Sequence, residues 1–319
     1  MRIQSIFLTC LYVFLVVFFW LIPRRILLWL CSMAAGCLQY FPLHPIDRNL
    51  NVLNRYRELK GDSLLPLRKL KRRNLYYTMK NVVDFFKFLI LKRKGWEEKI
   101  RVEGLENLKS VYDQGKGVIG VCGHLGNWEI GGLVLQKHQI KVSSLIFEQL
   151  DPLLDLFLNK AREDSGIQLL HQRRGLRQAI RNLEAGGLVC VHTDQDGTRH
   201  GNFLNFFGLH CSFPRVIEMF LNHSEPAIVP MCLFHDPDSD GYCLKFFEPW
   251  EIDYAQVRSD VTPVFEKIRD FLQDEILENP DQWLLLYDRF KLRHIPLLRK
   301  QGVLERVQKE FEEAWKGRE

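Results

Sequence analysis

Downstream of Gly104 the sequence alternates between short apolar, β-branched runs and amphipathic stretches, a rhythm that few architectures accommodate. The apolar runs fall at 118–122, 142–147, 167–170, 188–192, 228–233 and 242–247 and read as strands. Helical patterns fill most of the gaps, at 127–138, 152–164, 174–185 and 214–223. A further helix at 262–278 stops before Asn279-Pro280. Strands separated by such helices form βαβ units, so the expected fold class is α/β, a mainly parallel sheet flanked by helices. Run 242–247 follows the turn Asp236-Pro-Asp-Ser-Asp-Gly241 and is expected to be antiparallel. Trp283 to Phe290 reads as a strand or extended closing segment, and 303–316 as a polar terminal helix.

The first hundred residues follow a different logic. Ser5 to Ile22 is 18 residues without a charge, just long enough for a bilayer core of ~30 Å. It ends in Trp20, Pro23, Arg24 and Arg25, an interfacial aromatic followed by two cations. The expectation is an uncleaved transmembrane anchor over 1–25, with the bulk of the chain on the cytoplasmic side. A second apolar stretch, 26–41, is expected to lie on the membrane. From Asn49 to Leu91 the pattern is helical and amphipathic, with Tyr76, Met79, Val82, Val83, Phe86 and Ile90 recurring at three- and four-residue steps. Core packing accounts for that stripe, and contact with a lipid surface is the alternative. The expected organisation is therefore an anchor (1–25), a membrane-proximal helical region (26–100) and an α/β domain (101–319).

The stretch from Gly117 to Gly132 concentrates the chemistry. Val118 to Cys122 reads as a strand buried on both faces, and Gly123 and Gly126 permit a tight turn after it. Asn127 is an expected N-cap for the following helix. His124 then sits on a loop at a strand's carboxyl end, where open α/β sheets hold their ligands. Glu129 falls in the first helical turn, favoured by the helix dipole, from where its carboxylate can turn back to the imidazole. The pair reads as a general base with a carboxylate that fixes its tautomer. The plainer alternative is a capping glutamate beside an ordinary loop histidine.

Two more constellations follow strands. In His171-Gln-Arg-Arg-Gly-Leu-Arg177, Arg173 falls at a strand-to-helix turn, and Arg174, Arg177 and Arg181 share a helical face. This is either an anion site or a solvated face. In Val191-His-Thr-Asp-Gln-Asp-Gly197, Asp194 and Asp196 close an apolar strand. They can bind a metal, orient a histidine or turn the chain. The net charge of +5 suits an anionic membrane face or an acidic partner, and it is too scattered to argue for nucleic acid. The eight cysteines include no C-x2-C pair and read as buried apolar residues in a reducing compartment.

Gly123-His-Leu-Gly-Asn-Trp-Glu129 resembles the G-H-x-G-N-W-E signature of the bacterial lipid A biosynthesis acyltransferases, the late lauroyl and myristoyl transferases. The same family order continues with Arg173-Arg174-Gly-Leu-Arg177, Asp194-Gln-Asp196, Asn205-Phe-Phe-Gly208 and Asn279-Pro-Asp-Gln-Trp283. The resemblance implies a glycerolipid-acyltransferase-like fold in an inner-membrane enzyme. Such an enzyme moves a fatty acyl chain from an acyl carrier protein thioester to a hydroxyl of a glycolipid acceptor, with no cofactor. It implies His124 and Glu129 as catalytic and Arg173, Arg174, Asp194 and Asn127 as substrate-binding. Departures occur at Arg215-Val216 and at Tyr287-Asp288-Arg289-Phe290, which bear on acyl length and acceptor. The rivals are another glycolipid acceptor or an acyl-coenzyme A donor, and a non-catalytic membrane-anchored lipid-binding protein. No G-x-S-x-G elbow is present, so direct transfer through a ternary complex is expected.

Overall fold

The computed structural model describes residues 14–146, 152–171 and 174–290. Its first half is helical: α1 (Phe14–Leu21), α2 (Arg24–Leu38), α3 (His44–Lys60) and α4 (Leu67–Asp84). Pro23, which cannot donate a backbone bond, separates α1 from α2, and the two axes are bent by 109°. No single helix among the described residues is long and apolar enough to cross a membrane, although α1 and α2 together are. The part of the expected span before Phe14 lies outside the described residues.

Arg24, expected at a bilayer interface, instead donates to Asp84 (Nη2–Oδ2 2.7 Å) and pairs with Asp240. The expected helix over 49–91 is two helices, because Pro66 restarts the chain. Most of the predicted stripe faces protein: Val83 and Phe86 are buried, Tyr76 and Met79 pack against the core, and only Val82 among these is exposed. α4 runs on into a π-helical turn, Phe85–Ile90.

The sheet begins at β1 (Ile100–Glu103), followed by α5 (Leu105–Tyr112), β2 (Val118–Cys122), α6 (Gly131–Lys137), β3 (Val142–Ile146) and α7 (Pro152–Asp164). β4 (Ile167–His171), α8 (Leu176–Glu184) and β5 (Leu188–His192) continue the alternation. A separate hairpin, β6 (Asn202–Phe206) and β7 (Leu209–Phe213), precedes α9 (Val216–Leu221). β8 (Ala227–His235), β9 (Tyr242–Phe246), α10 (Tyr254–Val257) and α11 (Thr262–Glu278) complete the described elements. The strand order is β1-β9-β8-β2-β5-β3-β4. β8 and β9 are antiparallel and every other neighbouring pair in this sheet is parallel. Hence the expected mainly parallel α/β sheet with an antiparallel 242–247 strand is what forms.

β1, α5 and the hairpin were not expected. β6 and β7 mix apolar and polar residues at no clean period, and their turn places Phe207 and Gly208 at φ 54° and 83°. That is the primed geometry that suits a two-residue hairpin loop. The closing segment after α11 is a series of turns with one isolated bridge, Leu125 to Trp283. The helix expected at 303–316 lies outside the described residues.

β2 and β5 are neighbours although some 70 residues separate them, because β3 and β4 lie beyond β5. Their register pairs Cys122 with His192. Residues two beyond that pair, His124 and Asp194, therefore emerge level with each other at the carboxyl ends of the strands.

Candidate active site

The loop leaving β2 is fixed by main-chain bonds on both sides. Gly126 N–H donates to the Gln282 carbonyl and Asn127 N–H to the Leu233 carbonyl, each at 2.9 Å. Gly126 has φ +64°, and a Cβ there would collide with the Leu233 carbonyl, so the position requires glycine. His124 leaves this loop with Nδ1 at 2.7 Å from Asp194 Oδ1. Its own backbone N–H donates to Asp194 Oδ2 at 2.9 Å, and Trp283 Nε1–H donates to the same oxygen at 2.9 Å. Burial opposes a charge on Asp194, yet the His124 imidazole and these donors outweigh it and hold the carboxyl well below its ordinary range. An ionised Asp194 accepts a hydrogen bond from Nδ1–H of His124 and so leaves Nε2 as the basic nitrogen.

The ring of His124 is enclosed on two more sides. The Trp128 indole meets it edge-on, with centroids 4.8 Å apart, and His192 lies against its face at 4.4 Å, inclined by 35°. Burial, and then the charge of His124, push the His192 pKa down to about 3, so it is neutral at physiological pH. Both histidines line a cleft of about 390 Å³. Its lining includes the apolar side chains Leu145, Ile146, Leu169 and Val216 beside polar and charged ones.

Glu129 also lines the cleft, but its carboxylate does not reach His124. The chain passes from Asn127 into a 3-10 turn, Trp128–Ile130, before α6 begins. That turn directs Glu129 to Arg162 of α7, which also lines the cleft and donates through Nη2 (2.6 Å) and Nε (2.8 Å). Such a bidentate pair is both charge-assisted and directional. The carboxylate that the sequence assigned to the imidazole thus comes from Asp194, not from Glu129. If the pair acts as one unit, replacing Glu129 and Arg162 singly by alanine lowers activity. The double variant is then expected to lose no more than the weaker single, a coupling of ~0.5–3 kcal/mol in a double-mutant cycle. Strictly additive losses would show two independent roles.

The remaining expected positions divide. Asn127 is fully buried, makes no cap bond and donates Nδ2–H to Tyr242 Oη at 3.2 Å. Its expected capping role is therefore corrected, since the 3-10 turn places Asn127 where its side chain meets β9 instead. Arg174 is exposed on the turn after β4, away from the residues that line the cleft. Arg173 lies outside the described residues. Of the three readings left open for Asp194 and Asp196, the structure places Asp194 on the histidine and gives Asp196 to the turn, where Oδ1 accepts from Thr198 N–H at 3.0 Å. Arg162, His192 and Trp283 escaped the sequence reading as site residues. Trp283 carried a signal as the end of the Asn279-Pro-Asp-Gln-Trp283 motif, and His192 as part of Val191-His-Thr-Asp-Gln-Asp-Gly197.

Residues 1–292 match the family described as bacterial lipid A biosynthesis acyltransferase. Among characterised proteins, the chain is 28% identical over 196 residues to a lipid A biosynthesis palmitoleoyltransferase of Escherichia coli K12, covering 61% of this chain and 62% of that protein. It is 20% identical over 222 residues to a lipid A biosynthesis acyltransferase 2 of Shigella flexneri, covering 69% and 70%. A phosphatidylinositol mannoside acyltransferase of Mycolicibacterium smegmatis is 26% identical over 196 residues, covering 59% and 62%. The matched regions thus span about two thirds of these relatives' length.

Proposed function

This chain belongs to the bacterial lipid A biosynthesis acyltransferase family, and as such is an acyltransferase; from that premise we propose that it moves a fatty acyl chain from an acyl carrier protein thioester to a hydroxyl of a lipid A precursor. The observation that carries the reading is the Asp194–His124 pair, with Nε2 of the histidine left toward the cleft.

His124 takes the proton of the acceptor hydroxyl as its oxygen attacks the thioester carbonyl. Asp194 stabilises the imidazolium that results, and the same proton passes to the departing thiolate. General-base help of this kind contributes roughly 100- to 10,000-fold. Glu129 holds Arg162 in a fixed orientation on the cleft wall, where its guanidinium meets the acceptor or the carrier. The apolar lining at Leu145, Ile146 and Leu169 suits the start of an acyl chain. Arg173 and Arg174 bind anionic groups of the incoming partner.

The N-terminal region serves as the membrane attachment of this cytoplasm-facing enzyme. Trp20 and Trp29 are 56% and 60% exposed, and Phe14, Leu21, Ile26 and Met33 are exposed with them. An apolar face with tryptophans on two helices at a sharp angle suits burial at the headgroup boundary of the inner membrane.

The reading is tested with membranes bearing wild type or His124→Ala, supplied with acyl carrier protein thioesters and a tetra-acylated lipid A precursor. The lipid product is expected to gain one acyl chain with wild type only, while the variant still fractionates with membranes. A His124→Ala enzyme with wild-type transfer would overturn the role of the histidine. A second reading, transfer to a phosphatidylinositol mannoside, is favoured by the Mycolicibacterium relative. A mass gain in that lipid alone, with no gain in the lipid A precursor, would establish it instead.

A further inference from the structure

Attack on a thioester carbonyl places negative charge on its oxygen, and that oxygen needs donors already aimed at it. The loop after β2 has few to offer. The N–H of His124 is committed to Asp194, that of Gly126 to Gln282 and that of Asn127 to Leu233, while Gly123 N–H lies against the thiol of Cys232. Arg162 spends Nε and Nη2 on Glu129. His192 is in the opposite condition. Its Nε2 is sealed in the protein without a partner, while Nδ1 is neither enclosed nor hydrogen-bonded among the described residues, so Nδ1 is the ring nitrogen that a ligand in the cleft can reach. An accessible ring nitrogen without a protein partner beside a catalytic base is available to a ligand.

We propose that His192 is a catalytic residue, donating a ring N–H to the thioester carbonyl oxygen as it becomes the oxyanion. The inference rests on the acyl-transfer reading above. Geometry supports it first: the two imidazoles lie 4.4 Å apart at 35° and line the same cleft. A base and a donor side by side match a reaction in which the attacking oxygen and the carbonyl oxygen end on one carbon. Charge supports it next. With its pKa pushed down to about 3 by burial and by His124, His192 carries one N–H and does not compete for the proton that His124 must hold. A neutral imidazole acting as an electrophile is an established device.

The step balances without a further reactant. The acceptor hydroxyl gives its proton to His124 Nε2 as its oxygen bonds to the carbonyl carbon. The carbonyl electron pair moves to oxygen, where the His192 N–H meets it. Return of that pair breaks the carbon–sulfur bond, and His124 passes its proton to the thiolate. His192 keeps its own proton throughout.

The test compares wild type, His192→Phe and His192→Gln in the acyl carrier protein assay, with kcat, KM and the pH profile measured and thermal unfolding as a fold check. His192→Phe keeps a ring on His124 but has no donor, and kcat is expected to fall roughly 100- to 1,000-fold with KM little changed. His192→Gln retains a donor and is expected to recover part of that loss. The acidic limb of the profile stays where wild type has it. Phe variant turnover within about threefold of wild type would overturn the proposal. Equal losses in both variants with a displaced acidic limb would also overturn it, in favour of a positioning role. An inactive wild type would overturn the acyl-transfer reading itself, which an active wild type with an active Phe variant would leave standing.

Discussion

Replacing Asp194 by Asn is expected to lower turnover by about four orders of magnitude while leaving the chain folded, the scale measured when the equivalent carboxylate of a serine protease triad is made an amide. The reason lies in the number of donors that converge on this side chain. His124 Nδ1, His124 N–H and Trp283 Nε1–H all point at its two oxygens. An amide has one acceptor oxygen, so its NH2 must face a donor. The relief is for His124 Nδ1 to become the acceptor, which moves the ring proton to Nε2. A histidine protonated at Nε2 cannot take a proton from the acceptor hydroxyl. Single-turnover transfer measured on the purified variant, with thermal unfolding alongside, checks this. Wild-type turnover would show that the tautomer is not set by Asp194.

The same carboxylate carries a pH signature. Its pKa is depressed in the folded state, so its stabilising contribution is present above the ordinary aspartate range and is lost as the pH falls through it. Acid unfolding of wild type below about pH 5 therefore includes a component that the Asn variant lacks.

The second large effect concerns Arg24. Asp84 is fully buried at the end of α4, and it accepts from Arg24 and from the Tyr242 hydroxyl. Arg24→Ala removes the only guanidinium bonded to that carboxylate among the described residues and leaves a charge in the interior. Breaking a buried pair in this way costs ~3–5 kcal/mol. Replacing both partners with apolar residues, Arg24→Leu with Asp84→Leu, is expected to recover much of the loss, since no uncompensated charge is left. Unfolding midpoints in detergent distinguish the two. Equal stability of Arg24→Ala and wild type would mean that the network adds nothing to the docking of α2.

How far these features were legible in the sequence depends on the distance over which each is decided. Strands 118–122 and 188–192 and helices 152–164 and 262–278 are local events, set by period and by stop signals, and they form where the pattern puts them. Glu129 was read as the partner of His124 because it is the nearest carboxylate along the chain. The true partner is chosen by the insertion of β5 beside β2, and strand order leaves no trace in a local pattern. Arg24 shows the same limit. As a cation after an apolar run it reads as an interface residue, and only the fold brings Asp84 and Asp240 to it. His192 was part of an inspected motif, but its importance arises from the register that lays it on His124.

Three asparagines of the N-terminal helices give the site a timetable. Asn49 holds the carbonyls of Leu285 and Tyr287, Asn74 those of Asp281 and Trp283, and Asn81 that of Gly126. The Asn74–Trp283 contact joins residues 209 apart. At a synthesis rate of about 5–20 residues per second, the early helices emerge roughly 10–40 s before the segment that they clasp. Trp283, which completes the cradle of Asp194, arrives with that late segment. The histidine therefore lacks its finished setting while the helical front of the chain has already left the ribosome. A chain interrupted anywhere before the closing segment carries an unassembled base, and the ribosome itself decides when this enzyme can begin to work.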